Sequence, residues 1–292
     1  MAKIFITGAT GFTGRYVVRR LAEAGHRLTA FVRPESRREP VAGLVDAFTV
    51  GDLSDSDALR HAMDGHDILV NVASIGFGHA PDIVRAAERT GIKRAIYFST
   101  TSLFTTLPAA SKAVRQRAED AIRASQTPWT IIRPTMIYGD PGDRNLIRLI
   151  RWVDRCPVVP VFGPGTFLLQ PVHVDDLARA VPDILEREQT TGRAYNLSGG
   201  TALSYNELVR LVGELLGRRP RLLHLPVSVS LLAVELAQRL SRRITFSREN
   251  ILRLNEHKAF PSDEAAKNFG YAPRALRDGL AEEVRLFRRG EV

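Results

Sequence analysis

Thr7-Gly8-Ala9-Thr10-Gly11-Phe12-Thr13-Gly14-Arg15 stands between a short apolar run at residues 2–7 and a helical pattern at 14–24. Each glycine has its own use in such a turn. Gly8 permits the sharp change of direction, Gly11 lets a ligand approach the backbone, and Gly14 lets the helix pack closely on the strand. The first turn of that helix offers unpaired N–H groups and the positive end of its dipole, which suits a pyrophosphate. A second strand pattern at 28–32 completes a strand–helix–strand unit, so the glycines lie where dinucleotide binding needs them.

Working outward, strand patterns at 47–50, 68–72, 95–99 and 130–133 alternate with helical patterns at 55–63, 81–89 and 110–124. Short, nearly continuous apolar strands separated by helices imply an α/β fold, a doubly wound parallel sheet of the Rossmann type covered on both faces. After Arg133-Pro134, turn-rich segments at 139–143 and 157–165 bracket a short helix at 146–153. A helix at 174–185 and a strand at 194–197 follow, then helices at 205–216, 227–240, 248–254, 263–268 and 276–287. The expected organisation is an NAD(P)-binding domain over 1–165 plus 173–198. A smaller, mainly helical substrate-side domain is expected over 199–292, with loops from 139–172.

A chain of 292 residues, 44% hydrophobic and 25% charged, has the size and composition of a globular protein with a sizeable core. Its formal charge of +9 is dispersed over Arg33, Arg37, Arg38, Arg218, Arg219, Arg221, Arg239, Arg242 and Arg243. Aromatic residues do not interleave with these positives, so no nucleic-acid face is expected. The lone Cys156 excludes an intramolecular disulfide and a multi-cysteine zinc site, and His61, His66, His79 and His224 lack ligand spacing, so no metal is expected. The chain runs directly into a strand without a signal-peptide pattern, and a cytoplasmic setting is the simplest reading. Residues 226–240, PVSVSLLAVELAQRL, are too few to span a bilayer and include Glu235 and Gln238. They read as a packed helix. Weak membrane-surface contact, helped by the following Ser241-Arg242-Arg243, is the alternative.

The choice of nucleotide is read at the end of the second strand. A carboxylate there would bond the ribose hydroxyls and repel a 2′-phosphate. Here the chain has Phe31-Val32-Arg33-Pro34, with Arg37 and Arg38 following, which favours NADP(H) over NAD(H) because a guanidinium matches phosphate. Asp52, beside Leu53, has two readings: acceptor for the adenine amino group, or cap of the helix that begins near Asp55. The expected cofactor contacts are Gly8, Thr10, Gly11, Phe12, Thr13, Gly14, Arg33, Asp52, Leu53, Ala73, Ser99, Lys112 and Pro134.

TGATGFTGR, GDLSD, YFSTTS, ASKAVRQRAED, WTIIRPTMIYGD, PVHVDDLARAV, AYNLSGGTALSYNELV and NEHKAFPSDEAAKNFGYAPR occur in this order and cover nearly the whole chain. The sequence thereby resembles the atypical, extended branch of the short-chain dehydrogenase/reductases, with epimerase/dehydratase, complex I accessory-subunit and isoflavone-reductase/NmrA-like features. The resemblance implies an NADP(H)-dependent oxidoreductase or epimerase acting on a hydroxyl/carbonyl pair of a small molecule, and it is compatible with a homodimer. It also implies a catalytic set: a Ser or Thr after the fifth strand, and a Tyr four residues before a Lys. Thr101 and Lys112 match, but the tyrosine position is Pro108, which cannot transfer a proton.

Three expectations compete to fill that gap. Lys112 itself serves as acid/base, its pKa lowered by desolvation. Alternatively Tyr138, just past the sixth strand, supplies the hydroxyl. In the third, the protein binds NADP(H) without turnover, as a redox-sensing or assembly module. The arginine that nucleotide-sugar enzymes place four residues before His173 is Leu169 here, with Arg144 and Arg253 as the candidates to replace it. His173 itself is expected to be structural, preceding a helix that Asp175 or Asp176 can cap.

Overall fold

The computed structural model describes residues 1–108, 110–240 and 247–290. Six strands, β1 (Lys3–Thr7), β2 (Arg27–Val32), β3 (Ala47–Val50), β4 (Ile68–Asn71), β5 (Arg94–Phe98) and β6 (Trp129–Pro134), join Arg193–Leu197 in one sheet. Its order is Arg193–Leu197, β6, β5, β4, β1, β2, β3, and every neighbouring pair is parallel. The order reverses at β1, between β2 and β4, and this opens a crevice beyond the carboxyl ends of the strands.

Because side chains alternate along a strand, Ile4 and Ile6 face one side of the sheet and Phe5 the other. Both sides are covered. Ile4 and Ile6 pack with Val17 and Leu21 of α1 (Phe12–Glu23) and with Leu177 and Val181 of a later helix. Phe5 packs with Leu59 and Met63 of α2 (Ser56–Met63), with Ile83 of α3 (Ala80–Arg89) and with Ile122 of α4 (Ala110–Arg123). Such double burial explains why the strands read as unbroken apolar runs.

Beyond β6 lie α5 (Leu146–Arg155), α6 (Val174–Leu185), α7 (Tyr205–Leu216), α8 (Val227–Leu240), α9 (Arg248–Leu254), α10 (Asp263–Phe269) and α11 (Leu276–Arg289). Helices α5, α7 and α11 build a separate core from Leu146, Ile150, Val212, Leu280 and Val284, which also encloses Tyr138. By contrast α10 turns back to the sheet, where Phe269 and Tyr271 join Tyr195 and Leu197. Part of the C-terminal third therefore packs on the nucleotide-binding side.

Three short strand pairs escape local patterning. Ile137–Tyr138 pairs with Val172–His173, Leu168–Leu169 with Leu203–Ser204, and Val158–Phe162 with Arg221–Leu225. The segment expected as turns over 157–165 thus contains a true strand, specified by a partner far along the chain. Helix α8 packs against α9 yet leaves Val229, Leu232 and Leu236 exposed, so the packed-helix reading holds for one face of it. Ser241, Arg242 and Arg243 lie outside the described residues. Among those described, no helix is long and apolar enough to cross a membrane.

Candidate active site

The turn after β1 is shaped by two glycines that cannot be replaced without displacing backbone. Gly8 has φ +71°, and a Cβ on it would lie 2.6 Å from the amide nitrogen of Ala73, just past β4. A Cβ on Gly14 would lie 2.0 Å from the Gly8 carbonyl oxygen. Gly11 differs: its Cβ would meet only that oxygen, at 3.3 Å. Thr7 fastens the turn to β4 by donating from Oγ1 to Asn71 Oδ1 (2.7 Å), and Asn71 donates in turn to the Ala73 carbonyl (3.0 Å). Gly11 is the N-cap of α1, and no side chain caps that helix. A cradle of bare backbone at an uncapped helix start fits the pyrophosphate of a dinucleotide.

Arg33 and Asp52 lie past the ends of β2 and β3, respectively. Arg33 is exposed, pairs with Glu35 at 3.3 Å, and does not line the cleft, whereas Arg37 does. Asp52 is exposed and accepts from the backbone N–H (2.8 Å) and hydroxyl (2.5 Å) of Ser54. The cap of α2 is Asp55, which accepts from the Ala58 N–H, so Asp52 does not cap that helix. Leu53 is partly buried against the core beneath α2 and α3.

From this turn a cleft of about 1810 Å³ runs past the ends of β5 and β6. Thr10, Gly11, Phe12, Thr13, Ser99, Thr101 and Pro134 line it. Ser99 donates to Glu119 (2.7 Å), a buried carboxylate that also accepts from Arg133 Nε (2.7 Å). Burial alone would raise the Glu119 pKa, but the bonds from Arg133 and Ser99 bring it below the usual range. Thr101 is buried and donates to the Pro134 carbonyl (3.1 Å). Its hydroxyl proton is thereby engaged, and its oxygen is left as an acceptor. Lys112 donates from Nζ to the Thr105 carbonyl (2.6 Å) and holds the loop that carries Thr101; its side chain is not part of the cleft wall.

The structure does not bring Tyr138 to this cleft. Its ring is buried edge-on against His173, 5.3 Å between centroids, and its hydroxyl faces Gly279 of α11. Burial and nearby Asp176 push its pKa up. His173 is structural in a way different from that expected: its own Nδ1 accepts from the Asp175 N–H (3.2 Å) and caps α6. Asp175 and Asp176 instead bind Arg20, Arg179 and Arg274. Burial, then the charge of Arg274, lower the His173 pKa and keep its ring neutral.

Sequence reasoning missed the far wall of the cleft. Glu256 reaches across to the loop after Thr101: it accepts from Thr105 Oγ1 (2.7 Å), Thr106 Oγ1 (2.7 Å) and the Thr106 N–H (2.8 Å). Phe260 lies 5.4 Å from Phe104, and its N–H donates to Gln170. Lys258, between them, lines the cleft, and its ammonium has no hydrogen bond or ion pair among the described residues. Burial, followed by repulsion from Arg253, lowers its pKa to about 8 against the opposing effect of Glu256. Arg144 and Arg253 both face the cleft, as does Leu169. Among the described residues no His/Cys/Asp/Glu group could hold a metal ion.

A family model described as NAD(P)H-binding matches residues 8–151. Ceramide reductase of Caulobacter vibrioides is 32% identical over 246 residues, covering 76% of this chain and 73% of that protein. The chain belongs to the extended short-chain dehydrogenase/reductases. Other members of this NAD(P)-dependent oxidoreductase and epimerase superfamily are similar over much of their length. A 2-alkyl-3-oxoalkanoate reductase of Stenotrophomonas maltophilia is 27% identical, covering 71% of this chain and 73% of that protein. NADH dehydrogenase [ubiquinone] 1 alpha subcomplex subunit 9 of Dictyostelium discoideum is 26% identical, covering 84% of this chain and 73% of that protein. The crystal structure of gox2253, 28% identical, superposes with a TM-score of 0.81 over 99% of each chain. In the present chain Pro108 stands four residues before Lys112.

Proposed function

We propose that the protein is an NADP(H)-dependent reductase of a lipophilic ketone, with Lys258 as the proton donor in place of the missing tyrosine. One observation carries the reading: a single cleft joins the phosphate-binding turn to a largely apolar chamber walled by Leu146, Leu149, Trp152, Phe162 and Phe167, and an unpaired ammonium lies in its wall. The relatives named for reducing ceramide and 2-alkyl-3-oxoalkanoates support a lipophilic carbonyl. Arg37 on the cleft wall, with Arg33 nearby in sequence, supports a 2′-phosphate.

When bound, the reduced nicotinamide supplies hydride to the carbonyl carbon. The chain's own task is the proton. Lys258, with a pKa near 8, is charged at neutral pH yet weakly hydrated enough to release a proton to the developing alkoxide. Water entering the cleft reprotonates the amine. Thr101 accepts a hydrogen bond from the product hydroxyl, and Lys112 is a positioning residue that acts through Thr105.

The test begins with calorimetric titration of NADPH and NADH, then steady-state reduction of 3-oxoacyl compounds of graded chain length. Preference for NADPH and rising kcat/KM with chain length are expected. Lys258→Met is expected to lower kcat by at least about a hundredfold, the scale of general-acid catalysis, without loss of NADPH affinity. Full turnover by Lys258→Met defeats the assignment. A second reading, nucleotide binding without turnover, draws on Pro108 and on the relationship to a respiratory-complex subunit; it requires that no ketone support stereospecific hydride exchange.

A further inference from the structure

Helix α5 divides cleanly into two faces. At about 100° per residue, Leu146, Ile147, Ile150 and Val153 fall on one arc, and all four are buried. The opposite arc carries Arg148, Arg151, Trp152 and Arg155, all exposed. The three arginine side chains have no hydrogen bond or ion pair among the described residues. The helix's only acid, Asp154, falls outside that arc, at an angle between those of Ile150 and Ile147, and faces Arg218 at 3.7 Å. Trp152 is 47% exposed and donates from its indole nitrogen to the Val158 carbonyl (3.0 Å).

That bond joins α5 to the parallel ribbon of Val158–Phe162 and Arg221–Leu225. In its register Arg221 lies beside Val158 and Leu223 beside Pro160, so these four side chains share one side. Val158 is 40% and Leu223 51% exposed. Arg148, Trp152 and Pro160 also line the cleft, so this surface reaches its rim. Unpaired arginines, an outward tryptophan and exposed aliphatic side chains at one opening form the composition of a lipid interface. With Trp152 the one aromatic residue on the outer arc of α5, a nucleic-acid strand has no series of rings on which to stack.

We propose that the outer face of α5 and the adjoining ribbon dock on the surface of an anionic lipid bilayer and set the rim of the cleft against the membrane. The purpose of this docking, substrate entry from the bilayer, rests on the lipophilic-ketone reading; the docking itself requires no nucleotide. Trp152, Val158 and Leu223 sit at headgroup level, and the arginines pair with lipid phosphates.

The full chain is to be floated with vesicles of phosphatidylcholine alone and of phosphatidylcholine mixed with phosphatidylglycerol. Binding to the mixed vesicles only, weakening as salt rises, is expected. Arg151→Gln/Arg155→Gln, which alters residues outside the cleft wall, is expected to lower the partition coefficient about thirtyfold, at about fivefold per arginine near the surface. Its NADPH affinity stays at the wild-type value. Equal binding to neutral vesicles, or no vesicle binding by the wild-type chain, overturns the proposal. So does loss of binding in Leu232→Glu/Leu236→Glu with retention in the arginine variant, since that places the contact on α8. A chain that binds vesicles but not NADPH instead refutes the enzymatic reading and leaves the docking intact.

Discussion

Replacing Gly11 by alanine separates folding from nucleotide binding at a single atom. Gly11 has φ −75° and ψ 170°, a conformation alanine adopts freely, and its added Cβ would meet only the Gly8 carbonyl oxygen at 3.3 Å. A shift of a few tenths of an ångström relieves that contact. Alanine caps a helix less well than glycine, but it also restricts the unfolded chain, an opposing effect of about 0.4–1 kcal/mol. Folding stability in the absence of nucleotide is therefore expected to change by less than about 1 kcal/mol. The methyl group nevertheless occupies the approach to the N–H groups of α1. Loss of one charge-assisted hydrogen bond to phosphate, about 1.5–3 kcal/mol, raises Kd for NADPH about ten- to a hundredfold. Urea unfolding gives the first quantity and calorimetric titration the second. Gly14→Ala is the control: with its Cβ 2.0 Å from backbone oxygen, it should lower stability as well as affinity. Wild-type NADPH affinity in Gly11→Ala would refute the placement of the pyrophosphate on this turn.

Other consequences are equally specific. Arg37→Ala is expected to erode the preference for NADPH over NADH more than Arg33→Ala, because Arg37 faces the cleft and Arg33 is exposed beside Glu35; paired titrations measure it. Turnover in the reducing direction should fall as pH rises through about 8, where Lys258 loses its proton. Lys112→Ala should retain that alkaline limb while raising KM and lowering kcat. Tyr138→Phe should leave kcat unchanged, since its hydroxyl faces α11. Glu283 is buried beside Asp143, and burial with that neighbouring carboxyl raises its pKa. The folded chain thus keeps a proton that the unfolded chain releases, so this stabilisation is full below the ordinary glutamate range and is lost as pH rises through the raised value. Melting temperatures from neutral to alkaline pH should fall less steeply for Glu283→Gln than for the wild type.

Features written in neighbouring residues were legible without coordinates. The turn at Gly8–Gly14, the apolar strands and most helix bounds follow from backbone sterics and periodicity acting over a few residues; α6, α7 and α9 begin and end where the pattern places them. Cap and charge partners were less legible. Asp55 rather than Asp52 caps α2, and His173 itself caps α6, because several side chains of suitable chemistry stand within hydrogen-bonding reach and geometry selects among them.

By itself, then, the sequence determined a Rossmann sheet and a dinucleotide turn. Only the tertiary structure decided which groups meet on the far wall of the cleft. Glu256 clasps Thr105 and Thr106 from 150 residues away, and Lys258 enters the cleft beside it. The same is true of the ribbon that pairs Val158–Phe162 with Arg221–Leu225. Contacts between segments so far apart leave no periodic trace in either one, because each segment's local preferences are satisfied by many conformations. The packing of α5, α7 and α11 selects one of them.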